Sequence, residues 1–291
     1  MAKKVAIIIG AGIFFFAFLF YKNVYIKKAP SFENRKFATL LYTIEKGDNF
    51  IKVSRDLKQK DLISSAFFLK TYFLFSNRWK NIKVGTYDLP YGSTIAQLAG
   101  IISRGEVKTE KITILPGWSL KDIAQYCEEK GFFTQEEFFK VANNQEGYLF
   151  PDTYKIDYPA TPEKLMRMAL ANFQKKVSLD LQKGNFKETI IMASILEREV
   201  RTYEDKQIVA GILWKRIKEG WRLQVDVATE TYQQPGLPKE PICNPGLESI
   251  KAAVYYQDSP YWYYLSAKDD GKTIFSKTFE EHKLAKARYL R

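Results

Sequence analysis

The sequence predicts an α+β protein: an N-terminal transmembrane helix, a small α+β module, then a larger domain of mixed helices and strands. Three observations carry this. Residues 5–21 hold no charged side chain and are rich in Ile, Phe and Ala. Residues 41–114 alternate short β-prone runs with short helical ones, separated by turn residues. Residues 161–219 read as helix almost throughout, and an aromatic strand follows near the C-terminus.

Composition bounds the function before any motif does. At 291 residues, 46% hydrophobic and 27% charged, the chain has ordinary globular composition and length for two modest domains. Its formal net charge of +12, from 45 Lys and Arg against 33 Asp and Glu, suits nucleic acid, an anionic membrane surface or an acidic polymer. The basic residues are scattered, with no zinc-finger spacing and no RNA-recognition signature. Nothing beyond charge therefore points to nucleic acid. Cys127 and Cys243 form neither a metal motif nor a disulfide framework. A single histidine, His282, argues against a His-based metal site or a Ser-His-Asp triad.

The elements follow in order. Seventeen apolar residues, 5–21, rise ~25 Å as a helix, at the short end of what crosses a bilayer. Lys3 and Lys4 precede the run, and Lys22, Lys27 and Lys28 follow it. A cleaved signal peptide is the rival. The run exceeds a typical signal core, and no small-x-small site follows Tyr21 before the lysines, which favours an uncleaved anchor. Flanking charge does not set the orientation. Residues 1–28 are thus read as anchor and flank, and 29–40 as a linker.

In the module, residues 41–110, Tyr42-Thr43-Ile44 is β-prone and ends at the turn Lys46-Gly47-Asp48. Helices are expected over 51–57 and, capped by Ser64-Ser65, over 66–75. A strand is expected over 84–87. Tyr91-Gly92-Ser93-Thr94 then opens a helix with Ile95, Leu98, Ile101 and Ile102 at helical spacing. The phrase Ile44-Glu45-Lys46-Gly47-Asp48 before a short helix resembles LysM-type glycan-binding modules.

Residues 111–291 begin with a strand and Pro116-Gly117-Trp118-Ser119. A helix follows in which Ile123, Tyr126 and Cys127 share a face, placing Cys127 in the core as a small hydrophobe. Thr161 is the expected N-cap and Pro162 the first residue of a helix over 162–179. Further helices are expected over 188–201 and 204–219, the last ended by Gly220. A Pro/Gly-rich loop over 235–246, a short helix over 247–254, a strand over 261–267, the turn Asp269-Asp270-Gly271 and a helix from Phe279 complete the chain.

Four phrases stand out: Glu146-Gly147-Tyr148-Leu149-Phe150-Pro151-Asp152-Thr153-Tyr154; Ala193-Ser194-Ile195-Leu196-Glu197-Arg198-Glu199; Leu223-Gln224-Val225-Asp226; and Gly236-Leu237-Pro238 leading to Pro241-Ile242-Cys243-Asn244-Pro245-Gly246. In this order and spacing, and on through Ser276-Lys277-Thr278-Phe279-Glu280-Glu281-His282, the chain resembles the YceG/MltG-like family of endolytic murein transglycosylases.

Helix geometry distinguishes the two glutamates of the second phrase. Two residues apart, Glu197 and Glu199 point about 200° apart and cannot share a site. Glu199 lies on the stripe of Met192 and Ile195, whereas Glu197 lies nearer Ala193 and Ser194. A carboxyl held against apolar surface has its ionised form destabilised, the condition for a general acid near neutral pH. Surface carboxylates paired with Arg198 or Arg201 are the plain alternative. The resemblance also places the catalytic residue at Glu199.

The resemblance implies that Glu199 protonates the leaving glycosidic oxygen of N-acetylmuramic acid. The sugar's own 6-hydroxyl then attacks the anomeric carbon, leaving a 1,6-anhydro end, with no metal or organic cofactor. Gln224 and Asn244 offer amides for sugar hydroxyls and N-acetyl groups, and Asp226 either orients one of these or contacts the surroundings of Glu199. Tyr148, Phe150 and Tyr154 either stack on sugars or, as aromatics at such spacing more often do, fill the core. Glu146 and Asp152 either join the groove or brace its loop. The implied partners are peptidoglycan glycan strands, peptidoglycan synthases and the elongation or division machinery, at the outer face of the bacterial cytoplasmic membrane.

Departures from the family pattern are local. Only residues 227–235 separate the third phrase from Gly236, with Thr231-Tyr232 in place of a longer Asn-Thr-Tyr stretch. Lys239 replaces a second proline, and Thr273 stands where a histidine is expected. A non-catalytic, membrane-tethered peptidoglycan-binding scaffold is the principal rival reading.

Overall fold

In a computed structural model of the chain, the described residues are 2–26, 38–182 and 184–290. The expected linker, residues 29–40, falls largely outside them. The class is mixed α+β, with eleven α-helices and three two-stranded sheets among the described residues. Two compact units form: Met1–Glu110 with Asp157–Pro159, and Lys111–Ile156 with Ala160–Arg291.

The first unit opens with α1 (Ala2–Tyr25), whose segment Ile7–Tyr25 is long and apolar enough to cross a membrane. Signal sequences share that property. Next come β1 (Thr39–Ile44), α2 (Phe50–Gln59), α3 (Ala66–Phe75), β2 (Gly85–Pro90) and α4 (Ile95–Arg104). β1 and β2 pair antiparallel, with Tyr42 opposite Tyr87 and Ile44 opposite Gly85. Period-2 alternation turns Tyr42, Ile44, Tyr87 and Leu89 inward, against Val53, Leu57, Leu69, Phe73, Leu98 and Ile102 of the helices. Asn49 caps α2, accepting from the N–H groups of Ile51 and Lys52. Thr94 and Gln97 form a reciprocal capping box on α4. The cap expected at Ser64-Ser65 is only positional: Ser65 occupies the N-cap of α3, but its hydroxyl accepts no helix N–H.

The second unit takes up β3 (Thr109–Thr113), then holds α5 (Leu120–Glu129), α6 (Gln135–Val141), β4 (Thr153–Asp157), α7 (Pro162–Lys176), α8 (Phe186–Glu199), α9 (Tyr203–Lys218), α10 (Leu247–Val254), β5 (Tyr263–Ser266), β6 (Thr273–Ser276) and α11 (Phe279–Tyr289). β3 pairs with β4, and β5 pairs antiparallel with β6. α8 is the hub. Every residue from Thr189 to Leu196 is buried, so this helix runs through the core, packed on α9 and α10. Gly211 lets the chain after α10 approach: a β-carbon there would lie 1.9 Å from the Gln257 carbonyl oxygen. Cys127 is fully buried, as its place on the apolar face of α5 requires.

Several boundaries move. α7 stops at Lys176 rather than 179 because Val177 turns extended (φ −91°, ψ 91°). α8 stops at Glu199 rather than 201 because Val200 is extended (φ −135°, ψ 140°). Glu199 is consequently the last residue of its helix. α6, β4 and β6 were not expected.

Candidate active site around Glu199

At the end of α8 the helix passes from core to surface, and its last turn carries Glu197, Arg198 and Glu199 in three directions. The two glutamates do end in separate networks.

Glu197 faces α10 and α9. Its Oε2 accepts from the Gly246 N–H (2.8 Å) and the Ser249 hydroxyl (2.7 Å), and its Oε1 lies 3.4 Å from the Lys206 ammonium. Both side chains of that ion pair are buried, 13% and 5% exposed. Glu197 thus clamps the N-terminal turn of α10 to α8 and supplies negative charge where that helix's free N–H groups favour it. Arg198 turns the other way, donating to the Gly117 carbonyl and pairing with Asp122 at 3.3 Å.

Glu199 points into a cleft of about 430 Å³. Arg216 of α9, Gln224, Asp226, Tyr232, Tyr263 and Tyr264 of β5, and His282 of α11 are among its walls. Burial, above all, holds the Glu199 carboxyl above its ordinary range, and the negative charge of Asp226 pushes the same way. Hydrogen bonds from the backbone N–H groups of Val227 and Asp226 and from the Tyr264 hydroxyl oppose the shift without cancelling it. The Val227 N–H stands 3.4 Å from Oε1. A carboxyl held this way keeps its proton to higher pH than a surface glutamate and can donate it within the cleft.

Arg216 builds two of the cleft walls at once. Its guanidinium is buried and donates to the carbonyls of Leu223 (2.6 Å) and Trp262 (2.6 and 3.0 Å). It thereby fixes the residue before Gln224 and the residue before Tyr263-Tyr264. Gln224 itself adopts a left-handed backbone (φ 52°) at the cleft wall. Asp226 accepts from the Tyr232 hydroxyl at 2.5 Å, and that bond is the main reason the phenol is pushed up to about 12. His282 lies flat on Tyr263, ring centroids 5.2 Å apart, and its Nδ1 is buried with no hydrogen-bond partner. Burial, then the cations Lys286 and Arg216, keep the imidazole neutral to lower pH than usual.

Of the residues singled out in the sequence, the fold brings Glu199, Gln224 and Asp226 together in this cleft. The others are not among its lining residues. Asn244 is fully buried and its amide is spent inside the protein: Oδ1 accepts from the Leu149 N–H (2.9 Å), and Nδ2 donates to the Trp118 carbonyl (2.9 Å) and to Glu146 (3.3 Å). Glu146 accepts from the Leu120 N–H at 3.0 Å, at the start of α5, and burial raises its carboxyl. Tyr148 packs edge-on against Phe173, centroids 5.4 Å apart. Tyr154 and Phe150 are core residues, the Tyr154 hydroxyl donating to the Phe150 carbonyl, so neither offers a face for stacking. Asp152 accepts from Asn172 at 2.9 Å on the surface.

The YceG-like family profile matches residues 42–288, nearly the whole of both units. The chain belongs to the YceG-like family. Its similarity to individual members is modest but long. A protein of Bacillus subtilis named endolytic murein transglycosylase is 24% identical over 308 residues, covering 87% of this chain and 85% of that protein. One of Streptococcus pneumoniae with the same name is 23% identical over 320 residues; the match takes in 86% of this chain but 58% of that longer protein. The crystal structure of a yceG-like protein from Listeria monocytogenes is similar in fold, with a TM-score of 0.56 and 24% identity over 86% of this chain and 99% of that one.

Within this YceG-like chain, sequence reasoning missed Arg216, Tyr263, Tyr264 and His282 as cleft residues. Arg216 sits among Lys215, Lys218 and Glu219 and reads as one more exposed charge. His282 did carry a signal, as the end of the phrase that closes the family pattern.

Proposed function

We propose that the protein is an endolytic murein transglycosylase and that Glu199 is its general acid and base. The observation that carries this is the Glu199 carboxyl at the wall of an open cleft, its pKa raised above the ordinary range by burial and by Asp226. In the reaction, Glu199 gives its proton to the glycosidic oxygen leaving N-acetylmuramic acid. The 6-hydroxyl of the same sugar forms the new C–O bond at the anomeric carbon and returns its proton to Glu199. No water is consumed, and the new end is 1,6-anhydro-N-acetylmuramic acid. One carboxyl serves both proton steps, whereas hydrolytic glycosidases use a pair. Gln224 supplies an amide at the cleft edge for sugar hydroxyls or the N-acetyl group. Asp226 tunes the acid.

In this reading residues 1–28 tether the enzyme to the bacterial cytoplasmic membrane, 29–40 link, 41–110 form a LysM-like module that holds glycan, and 111–291 form the catalytic domain. The β-α-α-β order of β1, α2, α3 and β2 supports the module's assignment. Likeness to named transglycosylases over most of the chain supports the substrate, peptidoglycan strands.

The test is digestion of purified glycan strands by the full chain in detergent, beside Glu199→Gln, with strand ends read by mass spectrometry. Internal fragments ending in 1,6-anhydro-N-acetylmuramic acid from the wild type alone are the expected result. Reducing ends instead would make the protein a hydrolase. Binding without new ends would leave a cell-wall scaffold.

A further inference from the structure

Helix α3 carries an apolar face that the first unit leaves uncovered. Only Lys70 and Thr71 are polar among its ten residues, Ala66–Phe75. Leu69, Tyr72 and Phe73 fill the core. Phe67, Leu74 and Phe75 do not: they are 58%, 53% and 78% exposed. Phe67, Leu74 and Phe75 follow at i, i+7 and i+8, so the exposed apolar groups share one side of the helix, with Thr71 between them. A patch of this kind marks a contact surface.

Its neighbour α1 identifies what covers it. Phe20 of α1 packs edge-on against both Phe68 and Phe75 of α3, with ring centroids 6.2 Å apart in each case, and Tyr25 meets Tyr72 in the same way at 6.2 Å. Phe20 lies within the apolar span Ile7–Tyr25, two residues before Lys22. At ~1.5 Å per residue, Phe20 stands only ~3 Å along the helix axis from that first charge. With α1 across a bilayer, the edge of α3 that touches Phe20 therefore lies where hydrocarbon gives way to headgroups. Ten residues of helix, ~15 Å, are too few to cross, so α3 would meet the bilayer at its surface rather than span it.

Two further observations agree with that level. Trp79, just beyond α3, is 42% exposed, and the Lys80 ammonium lies 5.5 Å from its ring; tryptophan is favoured at membrane interfaces. Residues 66–80 contain no Asp or Glu, while Lys70, Arg78 and Lys80 bring positive charge suited to anionic headgroups.

We propose that α3 is an interfacial helix, which lays Phe67, Leu74 and Phe75 into the leaflet from which α1 emerges. The small module then sits on the lipid surface instead of hanging free on its tether. This rests on α1 being a retained anchor.

The test uses the full chain in vesicles of phosphatidylethanolamine and phosphatidylglycerol, first washed with alkaline carbonate. Phe67→Cys and Leu74→Cys are spin-labelled singly, with Lys175→Cys on α7 as an exposed reference. The native Cys127 and Cys243 are both 0% exposed and do not compete for label in the folded chain. Relaxation by oxygen, which partitions into lipid, is compared with relaxation by a water-soluble nickel chelate. The expected result is an oxygen-to-nickel ratio several-fold higher at 67 and 74 than at 175. Equal ratios on a chain that survives the wash would overturn the proposal and leave the anchor standing. Dipolar broadening that persists on lipid dilution would overturn it in favour of a second copy of the chain. A chain stripped off by the wash would remove the anchor, and the proposal with it.

Discussion

Asp226 sets its negative charge beside Glu199, and that neighbour adds to the effect of burial on the Glu199 carboxyl. Tyr264 acts oppositely, donating to the same carboxyl and holding part of the shift back. Removing either group should therefore move the alkaline limb of the pH profile, in opposite directions. An acid must be protonated to work, so activity falls as pH rises through its pKa. Asp226→Asn lowers that pKa and shifts the limb to lower pH. Tyr264→Phe raises it and shifts the limb to higher pH. The measurement is kcat/KM against pH on glycan strands; limbs that move together would sink the assignment of Glu199 as the acid.

Glu199→Gln should lose activity by ~100-fold or more, yet gain stability at neutral pH. The sign follows from the raised carboxyl. Its contribution to folding is fullest below the unfolded pKa of ~4.3 and is lost as pH rises through the higher folded value. Glutamine carries no charge at any pH and escapes that loss. A thermal unfolding series should show the variant melting higher at pH 7–8, with the gap closing below about pH 4. A variant that melts lower at pH 7.5 would contradict the burial argument.

Glu197 and Lys206 predict a different pattern. Removing one partner of a buried ion pair leaves the other uncompensated and costs about 3–5 kcal/mol. Glu197→Gln and Lys206→Met should each destabilise the chain strongly, whereas the double variant should cost less than the two singles summed. Denaturant unfolding of all four chains measures the coupling. Strict additivity would mean that the 3.4 Å contact contributes nothing.

Arg216→Lys keeps the charge but not the fork. A lysine cannot hold the Leu223 and Trp262 carbonyls together, and each charged hydrogen bond lost is worth about 1.5–3 kcal/mol. Both walls of the cleft should loosen, with kcat/KM reduced while Glu197 and its partners stay in place. Hydrogen exchange at residues 223–232 and 262–266 should rise together; a rise in one segment alone would refute a shared tie.

Much of this architecture is legible along the chain. α3 and α10 fall where helical spacing and turn residues place them, and the N-cap at Thr161 is plain in the sequence. β4 was overlooked although Tyr154 and Ile156 alternate inward, because five residues give too little period to stand out within a phrase read for its chemistry. β6, four residues long, offers even less. The separation of Glu197 from Glu199 follows from helix geometry alone. What no local pattern reveals is that a cation at position 216 turns inward to bind carbonyls at 223 and 262, or that His282 stacks on Tyr263. Those pairings depend on how β5 and α11 return past α9, which is a tertiary matter. Asn244 illustrates the converse: an amide suited to sugars by type is consumed by the backbone at 118 and 149.

Because α8 ends at Glu199 itself, the carboxyl stands beside the carbonyl end of the helix, where the aligned peptide dipoles leave a partial negative charge. The Ser266 hydroxyl tempers that end, donating to the Glu199 carbonyl at 3.2 Å. The helix end thus leans against ionisation in the same sense as the Asp226 charge does, and against the Val227 and Asp226 N–H groups. Part of the acid's tuning is accordingly written into where the helix stops, and a substitution that carried α8 one turn further would weaken the acid's hold on its proton without touching a single side chain in the cleft.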